Sequence, residues 1–283
     1  MSFHKNPVTF VSHVALKVSD LEKSKRFYTE VLGLNIKEQT SNSVSFTTNG
    51  QDVLLTITQP KTINKKQEQR TGLYHFALLL PKRADLSQVV RHFIHLGARF
   101  GGGDHLVSEA IYLNDPDGNG IEIYVDREAS VWQWSNGEVT MTTDPVDFDD
   151  LLKESVNPVW NGLPKETVMG HIHLQVNDLA KNKEFYVDGL GFDVVSRYGR
   201  EALFLSDSNY HHHIALNTWS GTQIKHAEKT ETGIESYSIV FPSEEKRQET
   251  VASLRELGIP VMEEENEVTV FDPSDIKLKL MIG

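Results

Sequence analysis

The chain has 283 residues, enough to bury a substantial core as one large or two medium domains. Its 28 Lys and Arg against 40 Asp and Glu give a formal charge of −12, which excludes the basic stripe of a phosphate-tracking nucleic-acid binder. The absence of cysteine excludes disulfides, thiolate nucleophiles and thiolate metal sites, so any metal must sit on His, Asp or Glu.

Met1 to Pro7 lack an apolar signal core, and no uninterrupted apolar run approaches the roughly 20 residues that cross a bilayer. The expectation is a cytoplasmic protein with no membrane or nucleic-acid partner. An internal repeat organises the rest. The segment from Ser12 to Tyr28 returns as Gly170 to Tyr186 at an offset of 158, and extending it to Leu34 and Phe192 gives 11 identities in 23 positions. A weaker pair matches Thr71-Gly72 with Thr232-Gly233, Pro81 with Pro242, Leu96-Gly97 with Leu257-Gly258, and Asp115-Pro116 with Asp272-Pro273.

Four modules result, in two halves. Each opens with a strand, at 12–18, 73–80, 170–176 or 236–241, followed by a helix. In the first, Ser19 or Asp20 can cap the helix, Leu21, Phe27, Val31 and Leu32 approximate its apolar stripe, and Gly33 stops it. Later residues such as Val44–Thr48 and Val53–Thr58 alternate like antiparallel strands. The pattern is βαβββ repeated four times, an α+β fold. We expect a first domain at 9–127, a second at 169–283, and a linker at 128–168 whose Pro145, Pro158, Pro164 and acids read as connection; Leu151, Leu152 and Trp160 give it something to pack with.

Of the 12 histidines, His4, His92, His95 and His226 read as surface or structural. His13, His75 and His171 occupy or neighbour one place in three opening strands, where the fourth module has Ser236. His75 lies in an apolar strand, Leu73 to Leu80, so it needs a partner or incurs a desolvation cost. After the turn Asp115–Gly120, Ile121, Ile123 and Val125 point one way while Glu122 and Tyr124 point the other. Two imidazoles and one carboxylate on a cavity-facing sheet form the facial triad of non-haem Fe(II) enzymes, with Glu122 as the acid. A solvated strand face is the plain alternative for Glu122, since Lys277 and Lys279 alternate harmlessly at the corresponding place. A calcium loop over Asp115, Asp117, Asn119 and Gly120 fails downstream, where Asp126 stands at position twelve and the flanks read as strands. In the run Tyr210 to Asn217, alternation puts His211 and His213 on one side and His212 on the other, and periodicity alone does not choose between them.

Together these features resemble the vicinal-oxygen-chelate (glyoxalase/bleomycin resistance/extradiol dioxygenase) superfamily, specifically its extradiol dioxygenases of the catechol 2,3-dioxygenase type. The resemblance covers nearly the whole chain. The Asp-Leu…Phe-Tyr…Leu-Gly helix marks the fold; the specific marks are Gly170-His171, His211-His212-His213-Ile214-Ala215-Leu216, Tyr74-His75-Phe76, Asp104-His105, Ser108, Tyr112 and Glu122. It implies curved, mainly antiparallel sheets around a metal cavity. It also implies His75, Glu122 and His171 as ligands of Fe(II) or Mn(II), His212 as acid-base and Tyr112 as a substrate hydrogen-bond partner, with His105 at the pocket rim. In familiar members the ligands lie on the last two modules. Here the marks sit on modules two and three, so these are expected to pair across the cavity while modules one and four form a degenerate pair. The rival is pairing within the amino-terminal half, with ligands His13, His75 and Glu122. The implied reaction is insertion of dioxygen into a catechol-type diol, giving a hydroxymuconic semialdehyde. A glyoxalase-type lyase or isomerase with His213 as a fourth ligand and a metal-free aromatic-drug-binding protein are the alternatives, and a homo-oligomer is compatible with all three.

Overall fold

In the computed structural model, residues 3–67, 69–155, 159–265 and 267–283 are described, so Met1, Ser2 and the linker's Pro158 lie outside the described residues. Module one comprises β1 (Phe10–Lys17), α1 (Leu21–Arg26), β2 (Asn35–Gln39), β3 (Ser43–Thr47) and β4 (Leu55–Thr58). Module two comprises β5 (Gly72–Leu79), α2 (Arg83–Leu96), β6 (Gly101–Asp104), β7 (Ser108–Asn114) and β8 (Gly120–Asp126). A hairpin, β9 (Trp134–Ser135) with β10 (Glu138–Val139), and the short α3 (Phe148–Leu151) follow. Module three is β11 (Val168–Gln175), α4 (Leu179–Lys183), β12 (Asp193–Tyr198), β13 (Ala202–Ser206) and β14 (Ile214–Asn217); module four is β15 (Gly233–Phe241), α5 (Glu244–Glu256), β16 (Val261–Glu264), β17 (Glu267–Phe271) and β18 (Lys277–Ile282). The βαβββ expectation holds in all four.

Two mixed, mainly antiparallel sheets result, ordered β16-β17-β18-β15-β1-β4-β3-β2 and β12-β13-β14-β11-β5-β8-β7-β6. Modules one and four share the first, and modules two and three share the second. The opening strands join them, β1 antiparallel to β15 and β11 antiparallel to β5. Each sheet therefore draws on both halves of the chain. Strand alternation explains the core: Phe76 and Leu78 of β5, Ile121 and Ile123 of β8, and Ile172 and Leu174 of β11 are fully buried on one face. The other face of those strands is left for polar residues.

The two repeat helices are built alike. Asp20 caps α1 by accepting from the Lys23 amide, and Asp178 caps α4 by accepting from the amides of Ala180 and Lys181. The Ser19 hydroxyl donates instead to Asp117. Each helix then widens into a π turn, at Phe27–Val31 and Glu184–Gly189. After the first, Gly33 at φ +74° stops the helix where a Cβ would meet Gly162 and Trp160 of the linker. In the π turns the Tyr28 phenol donates to Asp115, and the Tyr186 phenol donates to Asp272, each at 2.8 Å and fully buried. Each bond ties one sheet to the other.

The Asp115 carboxylate also accepts from the amides of Asp117 and Asn119 and from the Asn119 side chain. Its lone pairs serve the turn rather than calcium. The linker packs: Leu151 is fully buried, Trp132 joins Val107, Val139 and Tyr210 in a small core, and Trp160 stacks on His92 at 4.2 Å.

Candidate metal centre

Strands β5, β8 and β11 bring His75, Glu122 and His171 together. Ala77 pairs with Glu122 on one side and with His171 on the other, so a methyl group separates the carboxylate strand from the histidine strand. His75, two residues before Ala77, pairs directly with His173. Two shifts in the β5–β11 register, at Gly170 and after His173, set this alignment. Gly170 is required sterically, because a Cβ there would lie 2.1 Å from the Tyr124 hydroxyl.

His75 Nε2 and His171 Nε2 are 3.3 Å apart and lie 3.0 and 3.2 Å from the same Glu122 oxygen, Oε2. All three residues are buried. Two imidazole nitrogens aimed at one carboxylate oxygen and at each other place three lone pairs at one point, a donor set suited to a shared small cation. Among the described residues it is the one group of three or more His, Asp or Glu with that spacing. Burial alone would raise the Glu122 carboxyl, but His171 and His75 outweigh it and hold the group well below the ordinary carboxylate range. Burial lowers His171 to about 4, so its ring is neutral, as a metal ligand must be. Its Nδ1 has no hydrogen-bond partner among the described residues.

Two of the triad, His75 and Glu122, border a cavity of about 480 Å³. His75, Glu122, Tyr112, His105 and His212 line it together with His173, Phe204, Tyr74, Tyr198 and Trp219. Tyr112 faces Glu122 across the β7–β8 pair, and burial together with that carboxylate pushes its phenol well above 10. His105 Nδ1 lies 2.6 Å from the Thr142 carbonyl and so carries the proton there; in a neutral ring Nε2 then accepts the Tyr112 hydroxyl at 2.6 Å.

The histidine run separates as alternation suggested. His212 lines the cavity, its ring 4.1 Å from that of His171, and burial keeps it neutral, well below 6.5. His211 turns its Nε2 to Asp126 at 2.7 Å. His213 turns its Nε2 to the Phe3 carbonyl at 2.9 Å, so it is not available as a fourth ligand. His4, from the same arm, donates from Nε2 to the Gly170 carbonyl at 2.8 Å and packs on Tyr210, a structural role. His13, the rival ligand, lies in the other sheet and bonds Thr56.

Sequence reasoning missed His173, Trp219 and Asp126. For His173 a signal existed, since it stands two residues after His171 on the same strand face. Its Nε2 meets the Asn217 side-chain amide at 2.9 Å, and its ring packs on Trp219 and Tyr74. Trp219 follows β14 without periodicity to mark it. Asp126 was weighed only as a calcium position.

The model of the Glyoxalase/Bleomycin resistance protein/Dioxygenase superfamily matches residues 11–123 and 168–277. The chain belongs to that superfamily. It is 41% identical over 275 residues to the catechol-2,3-dioxygenase of Bacillus subtilis (strain 168), with 96% of each chain covered. At that identity and coverage the superfamily member is a dioxygenase-type oxidoreductase, and His75, Glu122 and His171 are a group that could hold a metal ion. Among solved structures it resembles a putative dioxygenase from Bacillus subtilis at TM-score 0.69 and 14% identity, covering 96% of this chain and 84% of that one. It also resembles glyoxalase I from Zea mays at TM-score 0.56 and 15% identity, covering 96% and 92%. These likenesses concern the fold.

Proposed function

We propose that the protein is an extradiol ring-cleaving dioxygenase acting on a catechol-type diol. The carbon–carbon bond beside the diol breaks and both atoms of dioxygen enter the product, a ring-opened hydroxymuconic semialdehyde. The observation that carries this reading is the convergence of His75, Glu122 and His171 within 3.3 Å, with His75 and Glu122 on the wall of a cavity that Tyr74, Phe204 and Trp219 also line and with His212 and Tyr112 beside them.

Fe(II), or Mn(II), held by those three residues would bring the diol and dioxygen together and pass electrons between them. Two neutral rings and one carboxylate leave the centre a single positive charge, which favours a diol that has lost one proton. His212, neutral at the cavity wall, takes up that proton and returns one later in the reaction. Tyr112, anchored by His105, hydrogen-bonds a substrate oxygen and remains protonated while doing so. Tyr74, Trp219 and Phe204 offer ring faces and edges to the aromatic substrate. The cytoplasm, rich in small-molecule substrates and reducing enough for Fe(II), suits such an enzyme.

The test is aerobic mixing of Fe(II)-loaded protein with catechol. A yellow product and one metal per chain are expected, and a metal-free, catechol-inert protein would sink the reading.

A further inference from the structure

We infer that His211 and Asp126 are positioning residues for His212: they fix it as the tautomer that carries its proton on Nδ1 and presents a bare Nε2 to the cavity. The inference deepens the dioxygenase reading and rests on it for the role of His212, but the tautomer itself is a property of the hydrogen-bond chain.

The chain is read from its far end. Asp126, at the end of β8, is partly exposed and offers only lone pairs as a carboxylate. His211 Nε2 lies 2.7 Å from Asp126 Oδ1, so that nitrogen carries a proton. The Tyr210 hydroxyl donates to the same oxygen at 3.3 Å, and Tyr124 bonds Tyr210 at 2.6 Å, which braces the carboxylate from the side. His211 Nδ1 then faces His212 Nδ1 at 2.8 Å. Two nitrogens at that distance share one proton. With the His211 proton on Nε2 toward Asp126, its Nδ1 is left to accept, so the shared proton belongs to His212. The His212 Nε2 has no hydrogen-bond partner among the described residues, and the residue lines the cavity.

A bare Nε2 can accept a proton from a diol hydroxyl. The opposite tautomer would meet that hydroxyl donor to donor. The same principle governs a catalytic histidine oriented by a carboxylate, where loss of the carboxylate's accepting role lets the ring adopt the wrong tautomer. Here a second imidazole is interposed between them. Glu122, Tyr124 and Asp126 alternate along one face of β8, so one strand supplies the carboxylate of the metal centre and the carboxylate that orients the base.

The experiment labels the histidines of the full-length protein with nitrogen-15 and loads it with Zn(II), which is diamagnetic. Long-range nitrogen–proton correlations should give His212 the pattern of a proton on Nδ1. Asp126→Asn can donate its amide to His211 and reverse the whole chain, so His212 should move toward a proton on Nε2. With Fe(II), its kcat on catechol should fall about 10- to 100-fold, the range seen when outer partners of a site are lost, with KM within about twofold. Asp126→Glu, which restores a carboxylate, should recover most of kcat. His211→Phe keeps the ring volume and removes the acceptor, so it should lose kcat likewise. A wild-type His212 protonated on Nε2, or an Asp126→Asn protein with unchanged kcat, overturns the inference even if catechol is cleaved. A protein with the stated tautomer that never opens catechol leaves the positioning intact and defeats the dioxygenase reading instead.

Discussion

In the sheet of modules two and three, Ala77 lies between His171 on β11 and Glu122 on β8; in the sheet of modules one and four, Ser238 lies between His13 on β1 and Lys279 on β18. Two residues before the central position stand His75 in one sheet and Ser236 in the other. The strand order and register are the same, so the difference is one of side chains. The sheet of modules one and four keeps one histidine of the three candidate ligands, and a lysine ammonium replaces the carboxylate. His13, lowered to about 4 by burial and then by Lys279, bonds Thr56 and makes no ion pair with a carboxylate among the described residues. A shared backbone plan therefore does not make a metal centre: a cation needs the anion at β8 and the second imidazole on β5.

The comparison breaks most sharply if the two histidines can exchange roles. His171→Ala and Glu122→Gln should each leave the protein without stoichiometric iron and without ring opening, whereas His13→Ala should retain both, as read by elemental analysis and the catechol assay. The reverse result would assign the centre to the other sheet. A gain-of-site variant tests the same point from the opposite side. Ser236→His combined with Lys279→Glu places the missing imidazole and carboxylate around His13, and titration with Zn(II) should show a second equivalent bound per chain. If only one binds, those positions are not enough to distinguish the sheets.

Smaller effects should appear in stability. Burial raises Asp272 to about 6 from an ordinary 3.8, so its folded form prefers the proton. The stability this contributes is fully present below about 3.8 and is lost as pH rises through about 6, to a limit of about 3 kcal/mol. Relative to Asp272→Asn, the wild type should therefore lose stability between pH 4 and pH 7 in denaturant melts. A flat difference would show that its hydrogen bonds, not burial, dominate. Smallest are the symmetric phenol losses: Tyr28→Phe and Tyr186→Phe should each destabilise by about 1–3 kcal/mol, since each leaves a buried carboxylate short of a donor. Unequal values would sharpen the comparison by showing which sheet the ties support more.

The module plan was legible because repetition and strand alternation are written residue by residue; Asp20, Tyr28 and Gly33 recur as Asp178, Tyr186 and Gly191. The pairing of modules two and three was legible only through the side chains that mark them, since β5 and β11 are far apart in sequence and antiparallel register leaves no local trace. The placement of Gly170 opposite Tyr124, the π turns and the fastening of His213 to Phe3 depend on such distant contacts. His211 and Asp126 were illegible for the same reason: they stand 85 residues apart, and neither resembles a partner of the other until the sheet closes.

The two phenol ties carry a consequence for assembly. Because Tyr28 fastens to module two and Tyr186 to module four while the sheets pair module one with four and two with three, neither half of the chain owns a complete sheet. Two copies of a half-length polypeptide, exchanged about a twofold axis, would satisfy every one of these pairings and build two identical clefts. Joined in one chain, the halves are free to diverge. One cleft can then keep its chemistry while the other gives up its ligands and serves as the frame.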